Sequence, residues 1–198
     1  MQIFYWFLVI NFINGFLLNS NTKCFKANHK TPVLIKNISV EHDETKIRPY
    51  DEEMMQIALD YAKTAFDKNE VPIGAIIVKN GEVIAGSHNS VEMEYDSTAH
   101  AEILAMRRAA KHLKNWRLKG CTLYTTLEPC NMCLSAAYQF RIDHIIYGAP
   151  DLRLGGAGSW INMVNDQSKH PFHSLTVEGG VLEKESSELI TSFFKKVQ

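Results

Sequence analysis

The apolar positions that follow Tyr50 recur at the spacing of one face of a helix. Asp51 stands where a helix N-cap residue is preferred, and acidic residues follow it in the first turn. The pattern therefore predicts a helix that begins near residue 51. Its apolar positions are Met54, Met55, Ala58, Leu59, Ala62 and Phe66.

Short runs rich in β-branched residues after this helix predict strands. Residues 73–79 and 82–87 flank Asn80-Gly81, a dipeptide that favours the two-residue turn of a β-hairpin. Further strands are predicted over residues 122–126, 142–147 and 175–178, further helices over 100–112, 131–140 and 183–196, and a polar loop over 88–98. Strands that alternate with helices after an opening hairpin are typical of a layered α/β fold with a mixed sheet.

The first 48 residues differ in pattern from the rest of the chain. Residues 3–18 are almost wholly apolar, but this run is shorter than the roughly 20 residues of a membrane-spanning helix. Residues 23–48 are polar and carry six Lys or Arg. We therefore expect an N-terminal extension over residues 1–48 and a domain over residues 49–198 that has no stable membrane association.

An apolar start followed by a basic polar stretch resembles a bipartite organelle presequence. On that interpretation the protein works in an organelle, the plastid ahead of the mitochondrion, and otherwise in the cytoplasm. The alternative is a poorly ordered leader, or a start codon placed too far upstream.

The charge of the chain is unevenly spread. Residues 50–198 hold fifteen Lys or Arg and nineteen Asp or Glu, so a nucleic acid would have to bind at a local basic patch. Residues 103–127 offer one, because they hold six basic residues, no acid and Trp116. A solvated helix face with a packed tryptophan would explain this stretch equally well. The basic residues are Arg107, Arg108, Lys111, Lys114, Arg117 and Lys119.

Two short motifs carry the chemistry. His100-Ala101-Glu102 and Pro129-Cys130-Asn131-Met132-Cys133 together supply one imidazole, two thiols and one carboxylate. His100, Cys130 and Cys133 form the ligand set of a catalytic zinc site, in which the fourth position is left for water. Glu102 follows the histidine by two residues and can act as the proton shuttle of a hydrolysis.

Both motifs follow a predicted loop and open a predicted helix. The positive end of each helix dipole favours the thiolate forms of Cys130 and Cys133. A closed structural zinc site would need a fourth ligand, for which His112 and His144 are candidates. A thioredoxin-like redox pair would leave His100 and Glu102 without a role.

The signature H-x-E followed by P-C-x-x-C is that of the zinc-dependent nucleobase deaminases, and residues 50–198 resemble the bacterial-type tRNA adenosine deaminases along nearly their whole length. The matching segments are Glu70 to Ala75, Asp96 to Glu102, Thr125 to Cys130, Ala157 to Ser159 and Phe193 to Lys196.

This resemblance implies a three-layer α/β/α sandwich with a mixed five-stranded sheet, as in cytidine deaminase. It also implies one zinc ion per subunit and a homodimer. The expected reaction is the conversion of adenosine to inosine at the wobble position of a tRNA anticodon loop, in an arginine tRNA.

The resemblance also implies substrate contacts. Asn89 would contact the extruded base or its ribose, the Val71-Pro72 turn would wall the pocket, and the amide of Ala101 would hold the polar edge of the base. Asn89 could instead be a turn residue, and Val71, Pro72 and Ala101 could be packing residues.

The terminal helix would touch the RNA through Phe194, or Phe193, and through Lys195. Adjacent residues of a helix cannot face the same side, so one of the two phenylalanines is expected in the core. Lys195 could also be part of a solvated helix end that favours the C-terminal dipole.

Some positions depart from the family pattern. Ser97 replaces the usual proline, and Pro150, Arg153 and Leu154 stand where Arg, Lys and Thr are usual. These changes leave the metal ligands and Glu102 intact but put RNA contacts near residues 150–154 in question. The alternatives are a deaminase of a free base or nucleoside (guanine or cytosine) and a catalytically silent RNA-binding subunit. The presence of Glu102 argues against the silent subunit.

Overall fold

The computed structural model describes residues 49–166 and 173–197. The presequence interpretation concerns residues 1–48, which lie outside the described residues, and the predicted domain boundary stays a prediction. Within the described ranges, no helix combines the length and apolarity that crossing a membrane requires.

The described chain forms six helices and five strands. In chain order they are α1 (Pro49–Asp67), β1 (Gly74–Lys79), β2 (Glu82–His88), α2 (Val91–Glu94), α3 (Ala101–His112), β3 (Cys121–Leu127), α4 (Asn131–Phe140), β4 (His144–Ala149), α5 (Met163–Asp166), β5 (Thr176–Gly179) and α6 (Glu183–Val197).

The five strands form one mixed sheet in the order β2-β1-β3-β4-β5. β1 pairs antiparallel with both β2 and β3, whereas β3, β4 and β5 run parallel. Asn80 and Gly81 have φ angles of 51° and 84°, as the predicted hairpin turn requires. The mixed five-stranded sheet is confirmed.

Alternation along the central strands divides the core into two clusters, one on each face of the sheet. Ala75 and Ile77 of β1 pack with α3 and α4, whereas their neighbours Ile76 and Val78 pack with α1 and with Val181, which precedes α6. Because successive side chains of a strand point to opposite faces, both faces of β1 are buried. The three-layer α/β/α sandwich is confirmed, and the sheet holds the loops at its edge in fixed positions.

Two local predictions were wrong. Asp51 is not the N-cap of α1, because the helix already begins at Pro49 and the buried Asp51 carboxylate accepts a hydrogen bond of 2.7 Å from the Tyr124 hydroxyl. The stretch predicted as a polar loop over residues 88–98 contains the short helix α2. The short helix α5 was not predicted either, whereas the other elements lie where the pattern predicts them, with ends that shift by one or two residues.

Candidate metal centre and substrate cleft

The two motifs meet where helices α3 and α4 begin. His100 is the N-cap residue of α3 and Cys130 is the N-cap residue of α4, and both have extended backbone angles. Cys133 lies in the first turn of α4, so both sulfurs lie on the same side of that turn. The N-terminal ends of two helices therefore point at one spot, as the sequence predicts.

The three predicted ligands have the spacing that a zinc ion needs. His100 Nδ1 lies 3.5 Å from Cys133 Sγ and 3.7 Å from Cys130 Sγ, and the three donor atoms lie within 4.8 Å of one another. Nitrogen and sulfur ligands at ordinary zinc distances in a tetrahedron are about 3.6 Å apart. The donor set therefore fits zinc with three protein ligands.

A closed structural site is not supported. The group of donor atoms in the described chain contains only these three residues. His112 lies at the opposite end of α3, and His144 hydrogen-bonds Thr176 on the neighbouring strand. The geometry therefore leaves one coordination position for a water or substrate atom.

The charges of the two thiols differ. The hydrogen bond with the Cys133 thiol lowers the pKa of Cys130 to about 4, and His100 acts in the same direction. The same pairing, together with burial, raises the pKa of Cys133 well above the ordinary range. The hydrogen bond with Cys130 also raises the pKa of His100. One sulfur is therefore a thiolate at neutral pH, and metal binding must displace a proton from the other.

Glu102 lies beside this centre in the first turn of α3. Its side chain is only 3% exposed, and its Oε2 atom has no hydrogen-bond partner among the described residues. Burial raises the pKa of this carboxyl, and the nearby His100 imidazole partly opposes the rise. A buried carboxyl with a free oxygen and a raised pKa is suited to accept and return a proton near neutral pH.

A cavity of about 270 Å³ opens over the centre. It contains most of the residues predicted from the sequence, because Val71, Asn89 and Phe194 line it beside His100 and Glu102. The other lining residues are Glu70, Ile73, Val91, Glu92, Leu127, Glu128, Cys130, Asp151, Arg153 and Leu154. This volume accommodates a nucleobase, and the wall formed by residues 151–154 is the segment that departs from the family pattern.

Three predicted substrate residues do not line this cavity. Pro72 is buried in the turn beside it, and Ala101 is fully buried in the first turn of α3. Lys195 is exposed on the terminal helix. A contact from Ala101 would have to come from its backbone, as the resemblance implies.

The two phenylalanines of α6 take different environments. Phe193 is 5% exposed and packs edge-on against Phe66, with ring centres 5.9 Å apart. Phe194 is half-buried and lines the cavity, and the Arg153 guanidinium lies 5.5 Å from the centre of its ring. Phe193 is therefore the core residue and Phe194 faces the cleft.

Sequence reasoning missed two buried glutamates in this cleft. Glu70 is 1% exposed and accepts hydrogen bonds from Asn89 Nδ2 (3.1 Å) and from the Met93 amide (2.7 Å). Since a carboxylate only accepts, the amide group of Asn89 must direct its nitrogen at Glu70. Glu128 is 2% exposed and contacts the loop after β4. Both glutamates lie within segments that match the family, Glu70 to Ala75 and Thr125 to Cys130, but the match assigned neither of them a role.

The basic residues of the stretch from residue 103 to 127 are exposed along α3 and the loop that follows it. Trp116 is 49% exposed, which excludes the packed tryptophan of the alternative explanation. Its ring lies 4.1 Å from the Arg117 guanidinium and 5.9 Å from that of Arg141. The first of these basic residues, Arg107, lies in the second turn of α3, and the last, Lys119, lies in the loop before β3.

Comparisons with known proteins agree with this site. Residues 48–149 match the family model of the cytidine and deoxycytidylate deaminase zinc-binding region. The chain is 47% identical over 147 residues to a tRNA-specific adenosine deaminase of Aquifex aeolicus, an alignment that covers 74% of this chain and 95% of that protein. It is 43% identical over 166 residues to the chloroplastic tRNA(adenine(34)) deaminase of Arabidopsis thaliana, which covers 77% of this chain but only 13% of that protein.

A solved structure is similar as well. It comes from a study of A-to-I editing by tRNA:A34 deaminases at the wobble position of transfer RNA, and it aligns with a TM-score of 0.66 and 42% identity. The alignment covers 69% of this chain and 98% of that one. The chain therefore belongs to the zinc-binding cytidine and deoxycytidylate deaminase family, in its group of tRNA-specific adenosine deaminases.

Proposed function

We propose that this protein converts adenosine to inosine at the wobble position of a tRNA anticodon. The observation that carries the proposal is the buried Glu102 carboxylate, whose free oxygen lies beside the ligands of a three-residue metal centre. Relatives that share 40–47% identity are named tRNA-specific adenosine deaminases, and the chain covers most of the length of the bacterial ones.

The reaction replaces the amino group of adenine with a carbonyl group and releases ammonia. A zinc ion held by His100, Cys130 and Cys133 supplies Lewis acidity, which makes water acidic enough to react near neutral pH. Glu102 Oε2 accepts a proton from the attacking water and delivers protons to the ring nitrogen and to the departing amine. Burial of the Glu102 side chain raises the pKa of its carboxyl, which favours the protonated form that must return a proton to the leaving group.

The walls of the cleft support a base extruded from an RNA loop. We propose that Asn89 contacts the base or ribose and that the turn at Val71 and Pro72 closes one side. Phe194 also lines the cleft with its aromatic ring, and Lys195 is exposed next to it on α6. Aromatic faces and lysines are the groups that usually hold single-stranded RNA.

We further propose three details of the biological setting. The preferred substrate is an arginine tRNA, and the active form is a homodimer, as the resemblance implies. Residues 1–48 serve as an organelle presequence, and the plastid is favoured because one relative is chloroplastic. Mapping the mature N-terminus in cells tests the last point, and a cytosolic protein that retains Met1 would reject it.

The test of the function compares substrates. Full-length protein loaded with zinc is incubated with an arginine tRNA that carries adenosine at the wobble position, and separately with free adenosine, guanine and cytosine. We expect inosine at the wobble position and no ammonia from the free compounds. Ammonia from a free base alone would move the protein to the small-molecule deaminases.

Two variants identify the residue responsible. Glu102→Ala is expected to abolish inosine formation, whereas Glu82→Ala, which changes an exposed glutamate of the hairpin, is expected to leave it unchanged. Zinc content is measured for both, so that loss of the metal is not mistaken for loss of the proton shuttle.

A further inference from the structure

Glu128 is a buried carboxylate to which the proposed reaction gives no role. It lies between β3 and Cys130, and its backbone is held on both sides. The Glu128 amide donates to the Ala149 carbonyl (2.8 Å), and the next carbonyl, that of Pro129, accepts from the Gly156 amide (2.9 Å). The direction of the Glu128 side chain is therefore set by the ends of two parallel strands.

The carboxylate gathers three backbone N–H groups from one loop. Its Oε2 atom accepts from the Asp151 amide (3.0 Å), and its Oε1 atom accepts from the amides of Ala157 (2.9 Å) and Ser159 (3.1 Å). A carboxylate can accept about four hydrogen bonds and donates none, so one side chain satisfies both ends of the loop. We call residues 151–159 the wall loop.

The wall loop is fitted closely around this carboxylate. A Cβ atom on Gly155 would lie 2.5 Å from the carboxyl carbon of Glu128, a distance that real Cβ atoms do not reach. Gly155 also forms a bridge with Cys130, one of the metal ligands. The loop therefore contacts both the carboxylate and the metal motif through its backbone.

The same loop supplies one side of the cleft. Asp151, Arg153 and Leu154 line the cavity, and the Arg153 guanidinium lies over the ring of Phe194. The Asp151 carboxylate is turned back on the loop, because its Oδ1 atom accepts from the amides of Arg153 (3.0 Å) and Leu154 (3.3 Å). The side chains at positions 153 and 154 depart from the family pattern, whereas the backbone that carries them is held by Glu128.

We propose that Glu128 is a positioning residue that preforms the wall loop for RNA binding. It acts through the backbone amides of the wall loop, which occupy both of its carboxylate oxygens. Without the Glu128 carboxylate, the wall loop would have to become ordered when substrate binds. The free-energy cost of this ordering weakens substrate affinity and does not slow the chemical step. This proposal rests on the proposed deamination of tRNA.

The test uses Glu128→Gln in the full-length zinc-loaded protein. Glutamine has nearly the same shape, but its NH₂ group replaces one acceptor and faces an N–H of the loop. We expect KM for tRNA to rise by about tenfold or more, because a charged acceptor is lost and a donor is left facing a donor. The value of kcat is expected to change by less than about threefold, and the zinc content is expected to stay at one per chain.

Hydrogen–deuterium exchange provides a readout that does not depend on activity. Amides of residues 150–160 are expected to exchange faster in Glu128→Gln, whereas those of β1 and β3 stay protected. Gly155→Ala disturbs the contact with Glu128 from the side of the wall loop. It is expected to raise KM for tRNA and to speed exchange in residues 150–160, as Glu128→Gln does. Glu82→Gln serves as the matched exposed control.

Unchanged KM together with unchanged exchange in residues 150–160 would overturn the proposal. A loss of zinc with a fall in kcat at constant KM would also overturn it, since Glu128 would then act through the metal. If the wild-type protein does not deaminate tRNA, the proposed function fails, and the exchange measurement still decides whether Glu128 holds the wall loop.

Discussion

Glu102 and Glu70 are two buried glutamates in one cleft, and their replacement by glutamine is expected to change stability in opposite directions. Glu102 has an oxygen without a partner, whereas both oxygens of Glu70 accept hydrogen bonds. The charge of Glu102 therefore destabilises the fold, because burial raises its pKa. The Glu70 carboxylate accepts hydrogen bonds from Asn89 and from the Met93 amide.

The magnitudes follow from these partners. Glu102→Gln removes an incompletely satisfied buried charge and is expected to raise the free energy of unfolding by about 1–3 kcal/mol at neutral pH. Glu70→Gln leaves an NH₂ group facing one of the two donors that Glu70 accepts from. It is expected to lower the free energy of unfolding by about 1–3 kcal/mol. Both are measured by urea unfolding with zinc removed by a chelator, so that metal binding does not contribute.

The stability advantage of Glu102→Gln is expected to depend on pH. A carboxyl whose pKa is raised by folding contributes stability below its unfolded pKa, and this contribution is lost as the pH rises through the folded value. The advantage of Glu102→Gln is therefore expected to shrink as the pH falls through the raised pKa of Glu102. An advantage that persists at pH 4, or a Glu102→Gln variant less stable than wild type at pH 7, would refute the reasoning.

Three further predictions concern the metal, the core and the RNA surface. Zinc binding at neutral pH is expected to release protons, because the pKa of Cys133 is raised well above its ordinary value. Titration calorimetry in buffers of different ionisation enthalpy measures this proton release. Cys133→Ser is expected to reduce the number of protons released. Leu134→Ala, at a fully buried position of α4, is expected to cost about 2.7–5 kcal/mol in urea unfolding, whereas Leu152→Ala, at an exposed position, stays within about 0.5 kcal/mol. If the exposed basic surface holds RNA phosphates, the double variant Lys114→Gln, Arg117→Gln lowers the salt dependence of tRNA binding by about 1–2 in the log–log slope, and Lys184→Gln, a lysine beside Glu188, leaves it unchanged.

Much of the metal centre could be predicted from the sequence because its order depends on local structure. His100 and Cys130 are each followed at once by a helix, and Cys133 is three residues further along the same helix. Likewise, Asn80-Gly81 fixes the hairpin through its own backbone angles. Because the two helices begin directly after His100 and Cys130, packing both helices on one face of the sheet is enough to bring the ligands together.

The remaining contacts join residues that are far apart in the chain. Glu128 binds amides 23 to 31 positions later, and Glu70 binds groups 19 to 23 positions later. No periodicity predicts such contacts, since they depend on how the loops return to the sheet edge. Asp51 misled the prediction for the same reason: its partner, Tyr124, lies 73 positions away on a central strand.

The central claim is tested most directly by measuring inosine at the wobble position of an arginine tRNA after a single turnover. The measurement compares zinc-loaded wild-type protein with Glu102→Gln at equal zinc content. We predict stoichiometric inosine with the wild type, and a rate at least about 10²-fold lower with the variant. Equal rates for the two proteins, or an unchanged adenosine with the zinc-loaded wild type, would contradict the account.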